Sequence, residues 1–271
     1  MKKVLPLLLF VALIMAGCGL GNEKEIKIGS IKYLNVTEEM LNEILIDNRP
    51  SLKGTRHKYL FFDNLNAMIA GLKSGQVDEI SIYQTVALYL NSRNSNVQWE
   101  ISEPIVSDMF CCAMREKDTA LREEFNGAIL TISQDGTLAK LVKNYLDEST
   151  HGKNPQVVEM PTFYNEPTIK IGVTGDLPLL DYIRPDGQPA GFNTAVLAEI
   201  SRHIKKNFVL VQIDSGARAA ALSSGHVDAI FWAVSPKSPE DKLPQNFDTP
   251  EGMILTMPYF SDDIVHVKLM K

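Results

Sequence analysis

The sequence predicts an α/β protein built as two similar lobes, and three observations carry that prediction. The tetrapeptide IKIG occurs at residues 26–29 and again at 169–172. Downstream of the first copy lies LKSGQVDEISI (72–82), and downstream of the second lies LSSGHVDAIFW (222–232). Each copy reads as a strand, then a helix ending at a glycine, then Val-Asp and an apolar strand, which is the pattern of one α/β half-unit written twice. The 271 residues, 45% hydrophobic and 22% charged, suffice for two modest cores. Two lobes imply a cleft between them, and such clefts are frequent small-molecule sites.

The elements follow in order. IKIGSI (26–31) is a strand, and TEEMLNEIL (37–45) is a helix with Thr37 as N-cap and Glu38 and Glu39 in its first turn. After a polar loop come strand HKYLFF (57–62), helix LNAMIAGLKSG (65–75), strand VDEISI (77–82) and a helix over Val86 to Leu90. PIVSDMFCCAM (104–114) reads as an extended crossover and strand, and 119–146 as two helices broken near Gly136. The stretch from Ser149 to Thr168, with Gly152, Pro155, Pro161 and Pro167, is the longest connector. The second unit then opens at 169, turns at PDGQPAGF (185–192), continues as helix TAVLAEISRHI (194–204) and closes on strand IVHVKLM (264–270).

A net charge of -6 offers no basic face, so no nucleic-acid partner is expected. At the start of the chain, Lys2 and Lys3 precede an apolar run from Val4 to Met15, too short to span a bilayer comfortably, and then Ala16-Gly17-Cys18. Small residues before a cysteine resemble the lipobox of bacterial lipoproteins, which implies cleavage after residue 17 and lipidation of Cys18. Met15 departs from that pattern, where leucine is usual, and the alternative is an ordinary signal peptide in which Cys18 is incidental. Either way the protein is exported, and residues 19–25 form a tether.

The other two cysteines, Cys111 and Cys112, are adjacent in an apolar strand and point to opposite faces, so they read as buried thiols rather than a disulfide. No His or Asp stands near them at ligand spacing, and no metal or other cofactor is expected. His57, His151, His203, His226 and His266 form no HExxH or nucleophile-elbow pattern. The pairs Asp262-Asp263 and Glu240-Asp241 read as solvated loop charge. Nothing calls for an enzyme.

Longer stretches resemble a known family. IKIGVTGDLPLLDY, PDGQPAGF, TAVLAEISRHI, SSGHVDAIFWAV and MPYFSDDIVHV, all within 169–271, are similar to the first part of the bacterial extracytoplasmic solute-binding proteins that serve amino-acid ABC transporters. Residues 26–148, ending in NGAILTISQDGTLAKLVKNYL, resemble the remaining part, so the two parts stand in circularly permuted order. The resemblance implies the two-lobed periplasmic-binding-protein-like (type II) fold, each lobe a mixed sheet flanked by helices. The smaller lobe would comprise 26–103. The larger would comprise 104–271, made of a crossover strand and helices (104–148), a connector (149–168) and the main part (169–271). One crossover near Glu103 to Asp108 would then join the lobes, giving a loose hinge unless the final strand pairs beside it. Two diverged copies of one half-domain are the alternative to permutation.

The resemblance also implies ligand contacts, and here the chain departs from pattern. Where the family has an arginine for the ligand carboxylate, this chain has SPKSPEDK (235–242), with Glu240 at the ungapped position and Lys242 as the nearest cation. The family's Gly-Thr-Thr at a helix start is replaced by Tyr33-Leu34-Asn35, and Glu38 and Glu39 should repel an anion there. The acidic amine partner is replaced by Tyr83, and the aromatics of the second unit's opening loop by Leu177 and Leu180. The remaining candidate ligand contacts are Tyr33, Asn35 and Tyr83 from one lobe and Thr174, Tyr182, Trp232 and Ser235 from the other. These suit a neutral or partly apolar ligand better than a zwitterion. Trp232, Tyr33 and Tyr83 could equally be core, and Asp78 and Asp228 read as structural residues at strand starts.

What the resemblance implies is a lipid-anchored protein at the cell envelope, periplasmic or on the outer face of a membrane. It would capture a small polar molecule, amino-acid-like or another small metabolite, and deliver it to an ABC transporter permease by hinge closure. The alternative is a degenerate module of the same fold, a sensor or protein-interaction lipoprotein without transport.

Overall fold

The structure, a computed structural model, describes residues 25–93, 99–147, 153–235 and 246–270, so that Cys18, the tether up to Lys24, Glu240 and Lys242 lie outside the described residues. The first unit contains β1 (Glu25–Ile31), α1 (Glu38–Asn48), β2 (Arg56–Phe62), α2 (Leu65–Ser74), β3 (Glu79–Tyr83), α3 (Gln84–Arg93) and β4 (Trp99–Ile101). Next come β5 (Val106–Arg115), α4 (Thr119–Gln134) and α5 (Thr137–Val142), then β6 (Thr168–Val173), β7 (Asp176–Leu177), β8 (Asp181–Ile183), β9 (Pro189–Ala190) and α6 (Phe192–Ile204). The chain continues through β10 (Asn207–Gln212), α7 (Arg218–Ser223), β11 (Ala229–Ser235) and β12 (Met253–Leu255) to β13 (Phe260–Leu269).

Both copies of the repeat take the same course. β1 lies between β2 and β3, parallel to both, and β3 continues antiparallel into β13, which also carries β4. β6 likewise lies between β10 and β11, parallel to both, and β11 continues antiparallel into β5, which also carries β12. The repeated Val-Asp sets this geometry by one device used twice. Asp78 accepts the Lys27 N–H on its carboxylate at 2.8 Å while its own N–H bonds the Lys27 carbonyl at 2.8 Å. Asp228 does the same with Lys170, at 3.0 and 2.8 Å. These two aspartates therefore act as the structural residues expected of them.

Local chemistry fixes the helices. Thr37 caps α1 by accepting the Met40 N–H at 3.3 Å, and Asn64 caps α2 by accepting the Ala67 N–H at 2.9 Å. The glycines of LKSG and LSSG end their helices at φ of 76° and 77°, a backbone region that other residues enter at a cost. A third glycine is more constrained. Gly191, before α6, has φ 98° and ψ 171°, and a Cβ there would lie 2.6 Å from the Leu180 carbonyl oxygen. Gly191→Ala is expected to cost about 2–4 kcal/mol, backbone strain and overpacking together, read as a lowered urea midpoint. An unchanged midpoint would contradict this account.

β5 and β13 are the two long central strands, and they run side by side with Asp262 opposite Asp108 and Ile264 opposite Val106. β13 then pairs with β3 and β4 of the first unit, while β5 pairs with β11 and β12 of the second. Two antiparallel strands thus pass between the units: the final strand pairs beside the crossover, which is the case in which no loose hinge is expected. One sheet path, β10-β6-β11-β5-β13-β3-β1-β2, runs through both units, and a separate small sheet is formed by β7, β8 and β9. Cys111 and Cys112 on β5 are buried free thiols. No helix among the described residues is long and apolar enough to cross a membrane.

Candidate functional site

In sheets of parallel strands, ligands sit beyond the carboxyl ends of the strands. Here the carboxyl ends of β1 and β3 in one unit face those of β6 and β11 in the other, and the side chains in between come from both. Trp232, on β11, is at the centre and 1% exposed. Its ring meets Tyr33 edge-on at 6.0 Å and Tyr83 edge-on at 5.3 Å, and stacks on Phe110 of β5 at 5.9 Å. The guanidinium of Arg218 covers the ring at 4.7 Å. One hydrophobic cluster consequently runs without a break from Ile28 and Leu45 in the first unit to Phe231 and Val196 in the second.

Polar groups of the second unit grip the backbone of the first. The Asp248 carboxylate, fully buried, accepts the Leu34 and Asn35 N–H groups at 2.6 and 2.9 Å on Oδ1 and the Val234 N–H at 3.2 Å on Oδ2. Arg218, equally buried, donates to the carbonyls of Lys32 at 2.7 Å, Trp232 at 2.8 Å and Ser215 at 3.3 Å. Asp176 accepts the Leu65 N–H at the start of α2. Ser215 donates its N–H to Asp63 O and its hydroxyl to Phe62 O, both at 3.0 Å. Each such bond is worth about 0.5–1.5 kcal/mol net, and more where one partner is charged.

The site is acidic inside. Asp108 of β5 is buried and accepts the Tyr83 hydroxyl at 3.1 Å and the Tyr33 hydroxyl at 3.2 Å. Burial raises its pKa to about 7, the two hydroxyls opposing and Asp248 and Asp262 adding to the rise. Burial likewise raises Asp248 to about 6 against the pull of Arg218 and three N–H groups. Asp262, expected as solvated loop charge, is instead buried on β13, and it and Asp181 also rise to about 6 by burial. Among the described residues no group of three His, Cys, Asp or Glu side chains is placed to hold a metal ion.

Little room is left for a ligand between these groups. One cavity lined by Tyr33, Tyr83, Ser30, Ser81 and Trp232 has a volume of about 20 Å³, as does a second lined by Tyr33, Tyr59, Asp108 and His266. Each admits about one water, far below the 300–1,000 Å³ typical of small-molecule pockets. A space of about 440 Å³ exists further out, lined by Tyr89 and Arg93 of α3 and by Tyr182, Arg184, Pro185 and Asp186.

The residues expected to contact a ligand are thus placed as follows. Tyr33, Tyr83 and Trp232 come together, in contact with one another. Asn35 gives its backbone N–H to Asp248 and its side-chain amide to Asn246 O at 3.2 Å. The Thr174 hydroxyl donates to Asp181 of its own unit at 3.0 Å. Tyr182 lies apart, on the outer groove, and Ser235 accepts a weak bond from the Cys111 thiol at 3.4 Å. Sequence reasoning missed Arg218, Asp248, Asp108 and Asp176. It also expected an anion to be repelled ahead of α1, whereas the Asp248 carboxylate sits there: the N–H groups of Leu34 and Asn35 are presented to it directly, and Arg218 supplies a compensating charge.

Comparison with known proteins gives one family and a set of distant structures. Residues 169–247 match the family described as bacterial extracellular solute-binding proteins, family 3. No curated protein matches the chain. Among solved structures, it is similar to Tv2483 bound to L-arginine (11% identity, TM-score 0.45, covering 92% of this chain and 79% of that one). It is also similar to the GluR0 ligand binding core in complex with L-glutamate (12% identity, TM-score 0.41, 93% and 87% covered). A third is the B. pertussis BvgS periplasmic domain (11% identity, TM-score 0.39), where 90% of this chain spans only 37% of the other's length.

Proposed function

We propose that this chain, whose residues 169–247 match the bacterial extracellular solute-binding proteins of family 3, is an exported lipoprotein of that kind whose interlobe cleft is closed by its own side chains. On this reading it serves the cell envelope as a sensor or protein-interaction module rather than as the receptor of an ABC transporter. The observation that carries the reading is the filling of the cleft: Trp232 lies against Tyr33, Tyr83 and Phe110, and Asp248 and Arg218 bind backbone atoms that a captured solute would otherwise meet. A receptor works by gaining contacts across the cleft only when ligand is present. Here the chain's own side chains make the contacts across the cleft.

The permuted order of the two parts belongs to the same proposal. It is supported by the position of Glu25 on β1 and Leu269 on β13, with only β3 between those strands. Lipidation at Cys18 would hold the module at the membrane, and Cys18→Ala is expected to release it from the membrane fraction.

Capture and delivery of a small polar solute to a permease is the second reading. It is favoured by the family match and by the outer groove at Tyr182. Native mass spectrometry of the chain from Gly19 onward, which contains every described residue, separates the two. The expected result is a clean protein mass before and after incubation with a broad metabolite mixture. A stoichiometric small molecule, released on denaturation, would overturn the closed-module reading and identify the solute.

A further inference from the structure

We infer that the seat of Asp248 is a carboxylate-binding site occupied intramolecularly, so that Asp248 acts as a tethered ligand latching the two units together. The inference deepens, and rests on, the reading of a self-closed cleft. Asp248 is carried by the turn Asn246 to Thr249, closed by the Thr249 N–H on Asn246 O at 3.0 Å, and it reaches across to the other unit. Its Oδ1 is held in a fork of two consecutive N–H groups, Leu34 and Asn35, while Oδ2 takes Val234 of its own unit. Successive backbone N–H groups converging on one oxygen make a fixed anion-binding concavity. Arg218, its donors engaged by the carbonyls of Ser215, Trp232 and Lys32, adds positive charge that favours the ionised carboxylate.

The neighbouring contacts fit a clamp around a small planar anion. Asn35 Nδ2 holds the Asn246 carbonyl at 3.2 Å, and Phe247 lies against Tyr33 at 6.3 Å between ring centres, so the turn is fastened on both sides of Asp248. All three N–H donors are backbone groups and survive removal of the aspartate side chain. The chemistry that satisfies them is one carboxylate bridging two oxygens across the units. Phosphate or sulfate, being tetrahedral and bulkier, fits a space vacated by a carboxyl group poorly. The seat without its tethered occupant is therefore specific for a small monocarboxylate.

The test uses Asp248→Gly in the chain from Gly19 onward, with acetate and formate as probes and chloride at equal ionic strength as control. The variant is expected to unfold at lower temperature than wild type. Acetate at about 100 mM should restore roughly 2–6 °C of that loss in the variant only. An acetate response equal to that of chloride, or one equally large in wild type, would overturn the inference. Should the glycine variant fail to fold, Asp248→Asn keeps an oxygen on Leu34 and Asn35 but loses the charge. It is expected to melt below wild type and to ignore acetate, whereas a wild-type melting temperature or an acetate response would overturn the latch. A solute carried by the wild-type protein would defeat the closed-module reading and leave the acetate response of the variant standing; loss of that response with wild type empty would defeat the latch alone.

Discussion

Arg218→Met is expected to remove about 3–5 kcal/mol of stability, among the largest effects of any single substitution in this chain. Methionine keeps much of the volume against Trp232, so the loss is electrostatic and hydrogen-bonding in origin. Three carbonyls, those of Lys32, Trp232 and Ser215, lose their donor inside a dry interface, and each unsatisfied group costs about 1–3 kcal/mol. Asp248 loses the charge that most opposes the effect of burial on it. Pairing Arg218→Met with Asp248→Asn should recover part of the loss, because the uncompensated carboxylate is then gone. Urea unfolding of the two single variants and the double variant reads this directly. A loss under about 1 kcal/mol for Arg218→Met would mean that the guanidinium is incidental to closure.

The repeat was legible because its signals are local. IKIG and Val-Asp recur in the same order, 51 residues apart in the first copy and 58 in the second, and the structure gives each copy the same strand order, with Asp78 and Asp228 performing one hydrogen-bonding task. Thr37, Gly75 and Gly136 marked helix boundaries for the same reason: caps and left-handed turns are settled within a few residues. The site was legible only as a set of aromatic residues near strand ends. Arg218 sits in GARAAAL, where an arginine reads as one exposed position of a short helix, and Asp248 sits in a polar stretch, NFDTPEG, where solvated charge is the ordinary expectation. Their partners lie 186 and 214 residues away, at Lys32 and Leu34. Nothing within either segment signals that pairing. The repulsion expected from Glu38 and Glu39 failed for a related reason, since it counted charge along one helix and left out an arginine from another.

The stability of this protein should fall by several kcal/mol as pH rises from about 4 to 7, opposite to the trend set by salt-bridged carboxylates. Asp108 keeps its proton in the folded state up to about pH 7, while an unfolded aspartate releases its proton near about 3.9. Between those values the folded state binds more protons, so its advantage is complete below the unfolded pKa and is lost as pH approaches the folded one. Asp248, Asp262 and Asp181, each raised by burial to about 6, act in the same direction over a narrower window. The buried groups that oppose this lie in the first unit and on β13, and exposed Asp135, lowered by its hydrogen bonds with Thr137, acts with them. Burial lowers the pKa of His57 and His266, so their contribution is complete above about 6.5 and shrinks as pH falls. Glu79 is pushed up by burial, but hydrogen bonds from His266 and Lys268 outweigh that and hold it at about 2, so its contribution fades only in stronger acid.

Asp108→Asn isolates one contribution, because the asparagine oxygen still accepts from Tyr33 and Tyr83 and every other titrating group remains. Between pH 5 and 7 wild type should lose about 2 kcal/mol more than the variant, measured by denaturant unfolding at each pH. Parallel profiles would remove Asp108 from the account. Asp108 faces Asp262 across the two strands that join the units, so the charge that appears on deprotonation falls on the junction itself. Hydration of that charge favours parting the units before either unit melts. Amide exchange at Leu34 and Asn35, whose N–H groups are protected by Asp248, should therefore quicken with pH beyond the intrinsic rate. Exchange at the amides that pair β1 with β3 should hold, since those bonds lie within one unit.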